Sequence, residues 1–109
     1  MSRHFQYLYD SAGKWIAFRA GDKIFNAYCK WIGWLPWNDE HVVDTLGNYL
    51  GTIFSDDRFY REDYIPYRGY PGHPGGVANP GHPGCSGFVG CATVPPGVHD
   101  VRPGLLQIQ

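Results

Sequence analysis

Between Leu8 and Thr52, apolar and polar positions follow one pattern three times. LYDSAGKWIAF from Leu8, IFNAYCKWIGW from Ile24 and VVDTLGNYLGT from Val42 align, with starts 16 and 18 residues apart. A shorter, degenerate fourth copy starts at Phe59-Tyr60-Arg61. Each copy opens with two apolar residues, reaches Asp10, Asn26 or Asp44, and carries Gly13, Cys29 or Gly47 three places later. Asp or Asn at the first turn position with Gly in the left-handed region suits a type I turn with a bulge, so each copy predicts a β-hairpin. Cys29 departs from that rule, because a side chain at positive φ is strained.

The register predicts cross-strand pairs. Asp10 faces Lys14, Asn26 faces Lys30 and Asp44 faces Asn48. The next pairs are Tyr9–Trp15, Phe25–Trp31 and Val43–Tyr49, then Leu8–Ile16, Ile24–Ile32 and Val42–Leu50. Alternation sends these last two sets to opposite faces, one mainly aromatic and one aliphatic. Beside the aromatic set stand Ala17, Gly33 and Gly51, and a repeated small residue predicts a crowded pseudo-symmetry axis. A lone hairpin is marginal in water, so the copies must pack around a shared centre or the chain must self-associate.

Past Tyr64 the grammar changes. Only Arg68, Asp100 and Arg102 are charged there, and Gly and Pro dominate. The expected organisation is a hairpin-repeat domain over residues 1–64 and a Gly/Pro-rich extension over residues 65–109, packed on the domain or on a neighbouring subunit. Gly69 to Ala92 has a glycine every third residue except at Ala78. Such phasing favours polyproline II, in which 24 residues would extend about 75 Å. Ala78 puts a methyl group where a triple helix admits only glycine. The expectation is therefore two shorter polyproline-II-like arms, Gly69–Gly76 and Gly81–Ala92, divided at Val77–Pro80. The fold class is all-β: three to four β-hairpin repeats around a pseudo-symmetry axis, followed by that extension.

These segments, with HVVDTLGNYLGTIF, FYRED and the triplet tail, resemble the small bacterial four-fold β-flower proteins from about Phe5 to about Ala92. The resemblance implies four hairpin petals around a pseudo-four-fold axis. It brings no activity and no catalytic residues. Two features depart from the family pattern: Cys29 in place of a turn glycine, and Gly-His-Pro where relatives tend towards basic, proline-rich triplets.

Composition narrows the function classes. The chain has 109 residues with four Trp, eight Tyr and six Phe, enough aromatic area for a small core. A formal net charge of -1 gives no steering field for nucleic acid or an anionic membrane. No apolar run approaches a membrane span and no leader is evident, so the expectation is a cytoplasmic protein with Cys29, Cys85 and Cys91 as thiols. No cofactor is expected.

Three chemical readings compete. His73, His82 and Cys85, with Cys91 and His99 nearby, are soft ligands suited to zinc, but they lack CxxC spacing, and His73 and His82 follow from a repeated Gly-His-Pro triplet. A Cys–His nucleophile would lack an orienting carboxylate other than Asp100. Trp34 and Trp37, flanking Pro36 between hairpins, are the ligand candidates, because exposed Trp stacks on sugars or cages cations. The structural alternative buries them at a core edge or an oligomer interface. The preferred reading is a non-enzymatic scaffold or protein-interaction module that forms a homo-oligomer or takes a protein partner. The alternatives are a carbohydrate or cation binder using the Trp pair, and a metal or thiol enzyme using the C-terminal His and Cys.

Overall fold

A computed structural model describes residues 5–37, 39–65, 69, 71–72, 75–77, 81, 84, 87 and 89–101. Among the described residues, eight strands form one antiparallel sheet in chain order: β1 (Phe5–Tyr9), β2 (Trp15–Ala20), β3 (Lys23–Asn26), β4 (Trp31–Trp34), β5 (His41–Asp44), β6 (Tyr49–Ile53), β7 (Phe59–Glu62) and β8 (Val98–Asp100). Successive pairs are the petals: β1–β2 is petal one, β3–β4 petal two, β5–β6 petal three and β7–β8 petal four.

The three expected turns share one geometry. Asp10 N donates to Lys14 O (3.0 Å) and Gly13 N to Asp10 O (3.0 Å). The same two bonds recur at Asn26–Lys30 and at Asp44–Asn48. The opening side chain supports each turn from within: Asn26 Oδ1 accepts from Tyr28 N and Lys30 N, and Asp44 Oδ1 from Leu46 N and Asn48 N. Gly13 and Gly47 lie at φ 85° and 89°, and Cys29 is forced to 64°. Left-handed backbone costs an L-residue roughly 1–2 kcal/mol, partly offset by glycine's greater chain entropy. Cys29→Gly is therefore expected to raise stability by about 0.5–1 kcal/mol in denaturant unfolding. A loss of stability would show that packing of the Cys29 side chain outweighs the strain.

The pairs nearest the turns stand where expected: Tyr9 faces Trp15, Phe25 faces Trp31 and Val43 faces Tyr49. One pair further in, the register shifts in all three petals. Leu8 faces Ala17, Ile24 faces Gly33 and Val42 faces Gly51, so Ile16, Ile32 and Leu50 are bulge residues and not partners. In two petals a tryptophan clasps the bulge, with Trp15 Nε1 donating to Ala17 O (2.7 Å) and Trp31 Nε1 to Gly33 O (2.6 Å). A bulge turns two successive residues to one side. The small residues thus leave the aromatic face expected for them and join the aliphatic centre.

That centre draws on every petal: Leu8 and Ala17, Ile24 and Ile32, Val42 and Leu50, Phe59 and Val101. The crowding expected at the small positions is present. A Cβ at Gly33 would stand 2.3 Å from Val43 O, and one at Gly51 would stand 2.8 Å from the Phe59 ring. The aromatic face is a separate layer in which Phe18 stacks on Phe25 at 5.4 Å and meets Phe5 edge-on.

Petal four answers the question posed by the degenerate copy at Phe59. Phe59, like Leu8, Ile24 and Val42, is fully buried and lies in its petal's first strand. Its returning strand is β8: Tyr60 faces Asp100, Arg61 faces His99, Glu62 faces Val98, and Asp63 N donates to Gly97 O (2.8 Å). Where the other petals have a five-residue turn, petal four carries the whole Gly/Pro-rich excursion. The sheet therefore continues across position 64 through β8.

Petals four and one are then joined. Tyr9 N donates to Asp57 O (2.9 Å), and the buried Arg58 donates from Nη1 to Asp10 O (2.7 Å). Ser11 donates from N and Oγ to the Asp100 carboxylate (2.8 and 2.6 Å).

Most described glycines of the extension depart from the polyproline II φ of about −75°. Gly69, Gly72, Gly75, Gly81, Gly84 and Gly90 lie at φ between 83° and 94°. Four of them directly follow a proline in the sequence, an order that favours glycine at positive φ, although no turn or bend forms at those four glycines. The divide expected at Val77–Pro80 falls largely outside the described residues.

Candidate interaction surface at the petal tips

At the tips of petals one, two and three the third turn residue, Ala12, Tyr28 or Leu46, is exposed, as is the fifth, Lys14, Lys30 or Asn48. Tyr28 is 81% exposed and Leu46 65%. They are large apolar groups at equivalent, outermost positions, and nothing in hairpin formation requires them. The signal was available in the turn alignment, since the third residue of such a turn serves it through its backbone N–H and leaves its side chain to solvent.

The tip of petal one is covered on its other side by the returning extension. Val89 N donates to Gly13 O (3.1 Å) and Ala92 N to Ser11 O (2.8 Å). The Cys91 thiol stands 3.8 Å from Ala12 O. The approach needs a glycine, because a Cβ on Gly13 would stand 2.3 Å from Gly90 O. Ala12 stays exposed beside this contact, so the covering chain leaves the outward position open.

A polar cluster occupies petals three and four. Thr52 Oγ1 lies 2.8 Å from His41 Nδ1, 2.7 Å from Tyr49 Oη and 3.1 Å from Glu62 Oε2. A hydroxyl has one proton and two acceptor sites. With Thr52 donating to the Glu62 carboxylate, it accepts from Tyr49 and from a His41 protonated at Nδ1. Tyr49 Oη in turn accepts from Glu62 N (3.0 Å). Burial pushes the Tyr49 phenol above its ordinary value, which keeps it the donor this arrangement needs. The Arg61 guanidinium lies over the Tyr49 ring at 5.1 Å and donates to Tyr49 O (2.7 Å). Thr52, engaged on all sides, is a structural junction and not an activated nucleophile.

The expected ligand and metal residues are distributed differently. Trp34 is half-buried in β4, facing Lys23 and Val43, and Trp37 is half-buried in the connection to β5. An open groove of about 520 Å³ lies instead beside β1, lined by Phe5, Tyr7, Tyr9, Arg19 and Asp57 among others. His73, His82 and Cys85 fall outside the described residues. Cys91 sits at the tip of petal one, and His99 pairs through Nδ1 with Asp63 at 2.6 Å. Among the described residues no group of three His, Cys, Asp or Glu is placed to hold a metal ion, and no helix is long and apolar enough to cross a membrane.

A single antiparallel sheet of four petals sharing one aliphatic centre defines a β-flower architecture. The chain belongs to the family described as 4-fold beta flower protein, whose model matches residues 2–87. No curated protein and no solved structure matched the chain.

Proposed function

We propose that the protein is a non-enzymatic interaction scaffold that self-associates through its petal tips. The observation that carries this reading is the pair Tyr28 and Leu46, large apolar side chains held outermost at equivalent tips. Exposed apolar groups on a rigid frame lose little entropy on contact, and tyrosine is enriched among the residues that dominate interface energetics. Repetition of the tip gives the self-complementary surface that a closed symmetric assembly uses. Free Cys29 and Cys91 suit a reducing compartment such as the cytoplasm.

Light scattering over a concentration series tests the proposal. The wild-type chain is expected to show a mass above that of the monomer. Tyr28→Ser with Leu46→Ser is expected to return it to the monomer with the thermal midpoint within about 3 °C, because exposed substitutions cost little. A wild-type monomer at every concentration, or an assembly indifferent to both substitutions, would reject the reading.

A further inference from the structure

The triplets from Gly69 to Ala92 are not equivalent. Their third positions read Pro71, Pro74, Val77, Pro80, Pro83, Ser86, Val89 and Ala92. Proline fills four of the first five and none of the last three. Val89 and Ala92 are also the two residues whose N–H groups donate to Gly13 O and Ser11 O on the tip of petal one. Proline has no N–H to give. A Gly-x-Pro triplet in this register could not make either bond, however well its glycine fitted against Gly13.

We infer that the break in proline phasing is a docking code. The extension is a strap, and loss of proline at 89 and 92 specifies that it latches onto petal one through residues 89–92. The tip is a receptor for an extended segment with N–H groups at two positions three residues apart and a glycine between them. Its acceptors are the Ser11 and Gly13 carbonyls. Glycine at position 90 is favoured by its φ of 94°, and Gly13 must itself lack a Cβ, which would stand 2.3 Å from Gly90 O. The occupant is the chain's own Val89–Ala92 segment.

The latch is built to open. Two backbone hydrogen bonds hold it, and Val89, Gly90 and Cys91 are exposed. Segments with few buried apolar contacts open at lower free energy than the core. Behind the latch, the β7–β8 pairing and Gly97 O on Asp63 N keep the excursion's far end in petal four, and Asp100 ties that petal to Ser11. Opening therefore bares the carbonyls of Ser11 and Gly13 without unfolding the sheet. Given that the tips are the interacting elements, the strap decides whether petal one offers two free acceptors or none.

Residue-resolved hydrogen exchange on the full chain tests the latch separately from self-association. In Val89→Pro, the Ala92 amide is expected to exchange about tenfold faster or more, and in Ala92→Pro the Val89 amide likewise. Val89→Ala keeps the N–H and is expected to leave Ala92 near its wild-type rate. The amides of Tyr9, Ile53 and Asp63, held by Asp57, Glu40 and Gly97 carbonyls, are expected to stay unchanged. An unchanged rate at the remaining donor, or Val89→Ala acting like Val89→Pro, overturns the inference. Should a proline variant fail to fold, wild-type exchange decides. Val89 and Ala92 must then open well before Tyr9 and Ile53 but slower than an unstructured peptide, and rates equal to the peptide's overturn the latch. If mixing labelled and unlabelled chains shows Ala92 protected only by a second copy, cis docking is overturned.

Discussion

Gly33→Ala is expected to lower stability by about 3 kcal/mol, a large fraction of what a domain of this size has. One methyl group produces this because of what surrounds it. The new Cβ would stand 2.3 Å from Val43 O, 3.1 Å from Val42 Cγ1 and 3.3 Å from Leu50 Cδ2. Side chains can yield a few tenths of an ångström, but the carbonyl belongs to β5, which β4 meets at Gly33–Asp44 and Trp34–Val43. Relief requires petals two and three to separate. Backbone conformation is not the cause, since Gly33 is not among the residues at positive φ. Thermal unfolding checks the outcome, with a fall of roughly 12 °C or more expected. A fall of less than about 3 °C would mean that the two petals have slack at their junction, and the close-packed centre would lose its main support.

The turns were legible because their chemistry is local. Asp10, Asn26 and Asp44, with Gly13 and Gly47 three places on, determine the hydrogen bonds of their own tips, and the Tyr9–Trp15 pair and its two equivalents follow. The bulge one residue further in was not legible. Ile16, Ile32 and Leu50 are apolar like their neighbours, and alternation alone offers no reason to skip them. What favours the skip is tertiary: the Trp15 and Trp31 side chains reach the carbonyls at 17 and 33, and the shared centre admits only small residues opposite Leu8, Ile24 and Val42. Petal four shows the same limit at longer range. Its first strand carries the repeat signature at Phe59. Its second strand, Val98–Asp100, lies beyond a Gly/Pro-rich excursion, and nothing within three residues announces its partner. The triplets were read from glycine spacing, which suggests polyproline II. The Pro-Gly order carried the other message, and positive φ at Gly72, Gly75, Gly81 and Gly84 follows it. At the surface, residue type marks Trp34 and Trp37, whereas position within the turn marks Tyr28 and Leu46.

Gly51 and Phe59 are expected to be energetically coupled, with the second of the two large losses at Phe59. Phe59→Ala removes a fully buried ring from the centre and should cost about 4 kcal/mol. Gly51→Ala alone should cost about 2 kcal/mol, because its Cβ would meet Phe59 Cε1 at 2.8 Å and Cζ at 3.0 Å. In the double variant the ring that obstructs the new methyl group is gone, and the methyl partly fills the space left behind. The combined loss should therefore fall short of the sum by about 1 kcal/mol or more in a denaturant double-mutant cycle. Recovery cannot be complete, since Tyr60 O also stands 3.0 Å from the new Cβ and does not move with the Phe59 side chain. That residue of cost separates this site from Gly33, where the nearest obstacle is backbone and no side-chain truncation should help. Additivity within about 0.5 kcal/mol would show that Gly51 is kept for its approach to the β7 backbone alone. The glycine would then owe nothing to the aromatic ring that heads petal four.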